Sequence, residues 1–404
     1  FDIVRRIYKM KKADRLNKLE MSKIRMTSKK MDAIEASGQK IIRFTYGEPN
    51  FNTPDYIKEA AKKAIDENHT KYTDYTGSPA FQAAVAAKYE RENGLKFKPS
   101  QVISTHGGAQ AAYLVLTTFL NPGDEVIIPN PMYNIYRIIG EICGATVKEY
   151  KLKEENGFQI DLKEMESLIT DKTKMIVICS PSNPIGSVLT DENLEGLGEL
   201  VKDKDLIICS DEIYERLVYD GVKAVSPALI PSLREKTIII NGFSKAFSMT
   251  GWRAGYVITP MQYQEKLYIH CGFQISGIPA FVLEACTTAL NDEPKYNTVE
   301  KMRGEFEKRR NYMVEEINKT KHFSCLMPKG AFYIFMNIKK TGMTSAECID
   351  WLIVNYGVAM VTGTIFGSEG EGFVRISYAA SMDEIKEGCK LLHEADAALE
   401  AMGK

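Results

Sequence analysis

Between about residues 100 and 260, short apolar runs alternate with stretches of helical pattern. The runs are almost continuously hydrophobic, which is what a strand buried on both faces requires. They span residues 101–105, 125–129, 175–180, 206–211, 237–242 and 255–259. Helical patterns such as 109–120 and 191–202 lie between them. This alternation predicts an α/β fold, a doubly wound and mostly parallel sheet with helices on both faces.

The C-terminal part of the chain has a different pattern. Its β-rich runs alternate more between apolar and polar residues, and long amphipathic helices accompany them. These features predict a smaller α+β domain with a sheet covered on one side. The runs are 331–338, 358–363 and 372–379, and the helices are 296–319 and 382–402.

The N-terminal region is predicted to be helical and then extended, and to pack on this smaller domain. The predicted division is an N-terminal arm and part of the small domain (1–55), a large domain (56–295) and a C-terminal small domain (296–404). The basic stretch 1–18 lacks the apolar segment of a secretory signal, which favours an arm.

Composition excludes several classes of function. The 404 residues carry a formal net charge of −1, so no electrostatic footprint for nucleic acid or an anionic membrane surface is expected. No apolar run is long enough to cross a bilayer. The 8 cysteines are scattered singly without a C-x-x-C pair, which predicts core residues in a reducing compartment, no disulfide framework and no metal site. The cytoplasm is the expected location.

In open α/β sheets, ligands bind beyond the carboxyl ends of the strands. The first run is followed by Gly107 and Gly108, which open a predicted helix. Glycines let the backbone approach a ligand, and a helix N-terminus offers N–H groups to a phosphate. The stretch is neither a G-x-G-x-x-G fingerprint nor a P-loop, which argues against a dinucleotide-binding dehydrogenase.

The next three runs are each followed by a polar or aromatic candidate. Tyr133 offers an aromatic face to a planar ligand, although a rim tyrosine would look the same. Asn183 offers an amide donor in a turn, although asparagine is also an ordinary turn residue. Asp211 ends a strongly apolar run, where a carboxylate is costly to ionise without a cationic partner.

After the fifth run comes NGFSKAFSMTGWRAGY, which contains Ser244, Lys245 and Arg253. On a surface this lysine needs no explanation, but in a partly desolvated pocket its amine would tend to be neutral and nucleophilic. One edge of the predicted sheet would then hold groups that can bind a phosphate. The same edge would hold an aromatic face, an amide, a buried carboxyl and a nucleophilic amine. Pyridoxal phosphate (PLP) requires each of these groups.

From about residue 20 to 400 the sequence resembles the class I/II aminotransferases, fold type I of the PLP enzymes. SKAFSMTGWRAGY is similar to the family's signature, which implies that Lys245 carries PLP while Ser244 and Arg253 bind its phosphate. SDEIYERLVY is similar to the segment whose acid meets the pyridine nitrogen, here Asp211, with Tyr214 near the ring oxygen.

Other segments extend the resemblance along the chain. In SPSNPIGSVL the resemblance implies a role for Asn183 with cofactor and substrate, and in TYGEPNFNTP it implies that Gly47 approaches the substrate carboxylate. KYTDYTG implies that Tyr72 crosses a homodimer interface to the neighbour's phosphate. GFVRISYA implies that Arg375 pairs with the substrate α-carboxylate, whose geometry its planar fork matches. The large domain is then the PLP-binding domain.

The donor substrate is predicted from departures within the phosphate loop. Gly108 and Ala109 are assigned to cofactor binding, and acidic-substrate members often hold a lysine where Ala109 stands. This favours a neutral or aromatic L-amino acid as donor, with a 2-oxo acid such as 2-oxoglutarate as acceptor; an acidic donor, as in aspartate aminotransferase, is the alternative. His106 is interpreted as a packed loop residue. Aromatic candidates for the pocket are Tyr46, Tyr75, Tyr133, Tyr136 and Phe332.

Two alternatives to an aminotransferase share the cofactor-binding residues, another enzyme of the same fold type and a non-catalytic PLP-binding protein. The fold type also hosts C–S lyases, racemases, decarboxylases and cyclopropane-forming synthases, which share Lys245, Asp211 and Arg253. A non-catalytic PLP-binding regulator is disfavoured, because the sequence has neither a preceding helix-turn-helix pattern nor a basic face.

Overall fold

The computed structural model of the chain describes residues 13–16, 31–32, 35–36, 38 and 40–403. The basic arm predicted at the N-terminus therefore lies mostly outside the described residues. Over the described ranges, no helix combines the length and the apolar character that spanning a bilayer demands.

The predicted alternation of strands and helices is present. In chain order the strands are β1 (Ile42–Arg43), β2 (Val102–Thr105), β3 (Glu125–Asn130), β4 (Thr146–Lys151), β5 (Thr173–Cys179), β6 (Ile207–Asp211), β7 (Thr237–Gly242), β8 (Gly255–Ile258), β9 (Tyr333–Asn337), β10 (Val358–Ala359), β11 (Val361–Thr362) and β12 (Phe373–Ser377). The helices are α1 (Asp55–Asp66), α2 (Pro79–Asn93), α3 (Gly108–Phe119), α4 (Ile135–Ile142), α5 (Leu162–Leu168), α6 (Asp191–Val201), α7 (Pro231–Arg234), α8 (Met261–Gln274), α9 (Ala280–Tyr296), α10 (Thr298–Asn318), α11 (Ser345–Tyr356) and α12 (Met382–Ala401).

The central element is a 7-stranded sheet with the order β2-β8-β7-β6-β5-β3-β4. The pairs from β7 to β4 are parallel, while β8 is antiparallel to both β2 and β7. Each of the six predicted runs forms a strand of this sheet. The edge strand β4 is missing from the prediction because its sequence, TVKEYK, is half-exposed and lacks a continuous apolar run.

Helices cover both faces of this sheet. In β6, Ile207 and Cys209 face one hydrophobic cluster, whereas Ile208 between them faces another. Strand β7 follows the same rule, with Ile238 and Ile239 in different clusters. Burial on both faces is why the sequence of these strands shows no polar alternation.

The C-terminal layer contains a 3-stranded antiparallel sheet with the order β11-β12-β9. Strand β1 pairs in parallel with β10, which joins Ile42 to Val358. This pairing brings the extended N-terminal segment beside the C-terminal part of the chain. The α/β fold class with a smaller α+β part is confirmed, while the boundaries at residues 55 and 295 remain predictions.

The reversed direction of β8 matters for what lies at the sheet edge. Gly255, its first residue, pairs with Gly242 at the end of β7 and with Thr105 at the end of β2. The chain immediately before β8 therefore lies at the carboxyl edge of the parallel strands. This places Arg253 next to the segments that leave β2 and β7.

The cysteines have the core positions that the sequence predicts. All of them lie in the described part of the chain, where none forms a disulfide bond, and all except Cys143 are buried.

Burial on both faces of the sheet gives a stability prediction. Ile208→Ala removes a fully buried side chain, so we expect the free energy of unfolding to fall by about 2–5 kcal/mol. The matched control is Ile65→Ala on α1, where the side chain is 47% exposed and the loss should be about 0.5 kcal/mol or less. Chemical denaturation followed by circular dichroism measures both changes. Equal losses in the two variants would contradict the assignment of Ile208 to a closed core.

Candidate active site

A cavity of about 370 Å³ opens at the carboxyl edge of the 7-stranded sheet. Strand ends of the sheet contribute one wall, and the N-terminal segment and β12 contribute the other. Nearly all of the predicted site residues line it: Gly47, Gly108, Ala109, Tyr133, Asn183, Asp211, Tyr214, Ser244, Lys245, Arg253 and Arg375. The exception is Tyr72, which lies elsewhere.

Lys245 lies in the loop after β7 and points its amine into the cavity. The Nζ donates to the backbone oxygen of Gly47. Burial, reinforced by the positive charge of Arg375, lowers the pKa of the Lys245 amine to about 8. Near physiological pH a larger fraction of this amine is therefore neutral than in an ordinary exposed lysine, and the neutral amine is the nucleophilic form.

Asp211 ends β6 at the floor of the cavity. Tyr136 Oη donates to Asp211 Oδ2 at 2.8 Å, and the Ile213 backbone N–H donates to Oδ1 at 3.2 Å. Burial raises the pKa of the Asp211 carboxyl, against the effect of these two hydrogen bonds. A cationic group placed opposite this carboxyl would favour the ionised form.

The glycines after β2 and the arginine before β8 form a cradle at the N-terminus of α3. Gly107 has φ +78°, and a Cβ added there would lie 2.8 Å from Arg253 Nη2. Arg253 Nη1 donates to Thr250 O at 2.8 Å, and Nη2 donates to His106 O at 3.3 Å. Helix dipole, free N–H groups and a guanidinium together suit a phosphate.

Arg375 enters the cavity from the middle of β12. Its Nη1 donates to Asn183 Oδ1 at 3.1 Å and its Nη2 to Thr45 O at 3.0 Å. The guanidinium carbon lies 4.4 Å from the ring centroid of Tyr333 and 5.0 Å from that of Phe366. Its Nε is buried and has no hydrogen-bond partner among the described residues, which leaves a donor for an anionic ligand.

The structure divides the predicted aromatic set. Tyr133 and Tyr136 line the cavity. Phe332 is buried in the C-terminal core, but its ring centroid lies 6.0 Å from Lys245 Nζ. Tyr75 instead packs on Tyr268, with ring centroids 6.0 Å apart, since the segment before α2 runs beside α8.

Other predicted residues lie at the periphery. Tyr46 is exposed beside the cavity entrance rather than in the lining. His106 is partly buried and meets Arg253 only through its backbone oxygen, as expected of a packed loop residue. Tyr72 is 90% exposed and borders a surface depression with residues 276–279.

Sequence reasoning missed several contacts in the site. The sequence predicts Tyr136 only as an aromatic wall of the pocket, yet its hydroxyl donates a hydrogen bond to the Asp211 carboxyl. Tyr333 flanks Arg375 because β9 pairs with β12, a neighbour relation that no local pattern reveals. Thr45 contributes a backbone oxygen, which is independent of residue type.

Comparison with known proteins agrees with this geometry. The family model for aminotransferase class I and II matches residues 39–392. An aspartate aminotransferase of Pyrococcus abyssi is 39% identical over 94% of this chain and 96% of its own length. Aromatic-amino-acid aminotransferase 2 of Thermococcus litoralis is 40% identical over 93% of this chain and 95% of its own length.

A solved structure shows the same fold. A double mutant of the aspartate aminotransferase of Thermus thermophilus superposes with a TM-score of 0.90 at 32% identity, covering 95% of this chain and 99% of that one. The match extends over both the 7-stranded sheet and the C-terminal layer. The chain belongs to the class I and II aminotransferase family and is an amino-acid aminotransferase.

Proposed function

We propose that the enzyme carries PLP on Lys245 and moves the amino group of a neutral or aromatic L-amino acid to a 2-oxo acid such as 2-oxoglutarate. The observation that carries the proposal is the cavity that joins Lys245, the partly buried Asp211 carboxyl and the free donor of Arg375. An amine nucleophile, a carboxyl for a pyridinium and a carboxylate receptor are the groups that this reaction needs.

The residues present fit PLP. The cradle of Gly108, Ala109, Ser244 and Arg253 at the N-terminus of α3 suits the phosphate. Tyr133 offers its ring to the cofactor face, and Asn183 and Tyr214 border the cavity where the ring oxygen is expected. The pKa of Lys245 is lowered and that of Asp211 is raised because burial outweighs the attraction of nearby opposite charges, which the charged groups of the cofactor would supplement.

When bound, PLP supplies an aldehyde for the substrate amine and an electron-withdrawing ring. The side chains of this chain supply the rest. Asp211, oriented by the Tyr136 hydroxyl, balances a positive charge on the ring nitrogen. Arg375 holds the substrate α-carboxylate with its unpartnered edge, beside the backbone of Gly47. The Lys245 amine would then act as the base that takes the proton from the substrate Cα.

The donor preference follows from the charges of the cavity lining. Among the described residues, the basic side chains that line the cavity are Lys245, Arg253 and Arg375, and each of these already has a proposed task. Ala109, at the first turn of α3, and Tyr133 also line the cavity, and neither carries a positive charge. A second carboxylate on the substrate would find no dedicated cation there, which supports a neutral or aromatic donor. An acidic donor is the second candidate, favoured by relatives named as aspartate aminotransferases.

We also propose that the enzyme is a homodimer with shared active sites. Tyr72 is 90% exposed beside a depression lined by Phe281, and Phe273 nearby on α8 is exposed as well. A second copy would cover these apolar side chains and receive Tyr72 at its phosphate cradle. The proposed location is the cytoplasm, which the mostly buried cysteines without disulfide bonds support.

The first test is a spectroscopic panel. Purified enzyme loaded with PLP is mixed with single amino acids without any oxo acid, and the absorbance of the lysine-bound cofactor is followed. We expect neutral and aromatic donors to replace this band with that of pyridoxamine phosphate, with one oxo acid released per site. Lys245→Ala should lack both the initial band and turnover. Release of ammonia instead of pyridoxamine phosphate would contradict amino transfer.

The pH dependence of cofactor capture tests the environment of Lys245. Only the neutral amine is nucleophilic, so the rate of covalent PLP attachment to cofactor-free protein should rise with pH and level off above about 8. Stopped-flow absorbance across pH 6–10, roughly four units around that pKa, measures the profile. Arg375→Met removes a neighbouring positive charge and should shift the midpoint to higher pH. A rate still rising at pH 10 would indicate an ordinary exposed lysine.

A third test concerns the donor side chain. Ala109→Lys places a cation at the first turn of α3, so we expect kcat/KM for aspartate to rise about 10–100-fold relative to a neutral donor. Ala109→Met is the matched control of similar length without charge. Equal gains in the two variants would show that the side-chain charge at this position does not select the donor.

A further inference from the structure

One asparagine side chain forms hydrogen bonds between the end of β3 and the loop that precedes β12, residues 363–372. Asn130, the last residue of β3, is buried. Its Nδ2 donates to Ser368 Oγ at 2.9 Å and to Glu149 Oε2 at 3.0 Å. Its Oδ1 accepts from the Glu369 backbone N–H at 3.2 Å. The amide thus uses both donors and its acceptor to join two sheets that are separate in the fold.

The backbone of the same loop lies directly against β3. The Met132 N–H donates to Phe366 O at 2.8 Å. Gly367 has φ +132°, and a Cβ added there would lie 2.1 Å from Asn130 Oδ1. Only glycine allows this approach without displacing the loop. Residues 366–369 therefore have a fixed position relative to the end of β3.

In the same loop, the side chain of Phe366 contacts the guanidinium of Arg375. The buried ring of Phe366 and the ring of Tyr333 flank the guanidinium, at 5.0 and 4.4 Å from its carbon. Nη1 and Nη2 are fixed by Asn183 and Thr45, so the two rings define the remaining freedom of the guanidinium plane. A shift of Phe366 would let this plane rotate.

We propose that Asn130 is a positioning residue that holds Phe366 against Arg375 and thereby sets the affinity of the site for a substrate carboxylate. The inference rests on the proposed function, in which Arg375 binds the α-carboxylate of both the amino acid and the oxo acid. That contact is the same in the ground state and the transition state, so its weakening raises KM for both substrates and leaves kcat nearly unchanged.

The test uses the PLP-loaded enzyme and 3-phenylpropanoate, an aromatic monocarboxylate that has no amine to react. Asn130→Ala should weaken its binding about tenfold in titration calorimetry and raise both KM values similarly, while kcat stays within about twofold. Cofactor content should match that of the unmodified enzyme. Ser368→Ala removes one of the same hydrogen bonds and should act in the same direction with a smaller effect, which keeps the test available if Asn130→Ala does not fold.

Two comparisons separate positioning from general stability. Asn193→Ala removes an amide that exchanges two hydrogen bonds with the Ile160 backbone, at 2.7 and 3.2 Å, outside the cavity lining. It should bind 3-phenylpropanoate normally. Asn130→Asp places a carboxylate against the Glu149 carboxylate, so this variant should bind 3-phenylpropanoate weakly. The double variant Asn130→Asp with Glu149→Gln restores a donor and an acceptor at this contact and should recover the affinity for 3-phenylpropanoate.

A folded, PLP-loaded Asn130→Ala enzyme that binds the carboxylate within about twofold of the unmodified enzyme would overturn the proposal. Equal weakening in Asn193→Ala would overturn it as well, because any lost amide would then have the same effect. If the unmodified enzyme converts no amino acid, the proposed function fails, while the carboxylate titrations still decide the role of Asn130.

Discussion

The side chains that line the active-site cavity carry more positive than negative charge, and this excess affects both the pKa of Lys245 and the ligands that fit the cavity. Among the residues that the structure describes, three cationic side chains line it, Lys245, Arg253 and Arg375, against one carboxyl, Asp211. Mutual repulsion of the cations adds to burial in lowering the pKa of the Lys245 amine. A phosphate and a carboxylate are the two anions that the proposed reaction brings to this space. The same imbalance that makes the lysine reactive therefore also selects what can enter.

The sequence alone predicts the central sheet well, because both faces of its strands are buried and their apolar runs are continuous. Strand β4 lacks this signal, since as an edge strand it is half-exposed. The residues at strand ends, such as Asp211 and Lys245, are predictable because parallel strands deliver them to one edge. Arg375 is different. It belongs to another sheet, and only the resemblance to a known family could assign it.

The contacts that orient the site residues were beyond any sequence pattern. Asn130 and Ser368 are 238 positions apart, and their hydrogen bond exists only because two sheets meet. Tyr333 reaches Arg375 through strand pairing, and Thr45 through a backbone oxygen. The sequence therefore predicts which chemical groups are present, whereas packing determines how tightly each is held. The position of the Arg375 guanidinium depends on contacts across several elements, from Asn183, Thr45 and Tyr333.

The antiparallel pairing of β7 and β8 places Lys245 and Arg253 in one hairpin loop, residues 243–254, so their relative placement requires closure of a short loop. Arg375 meets Asn183 across 192 positions, and that contact requires the C-terminal layer to dock on the central sheet. The entropic cost of closing a loop rises with its length. The contact between Arg375 and Asn183 is therefore the more costly of the two in chain entropy, and it is the one that local unfolding of the C-terminal layer would remove.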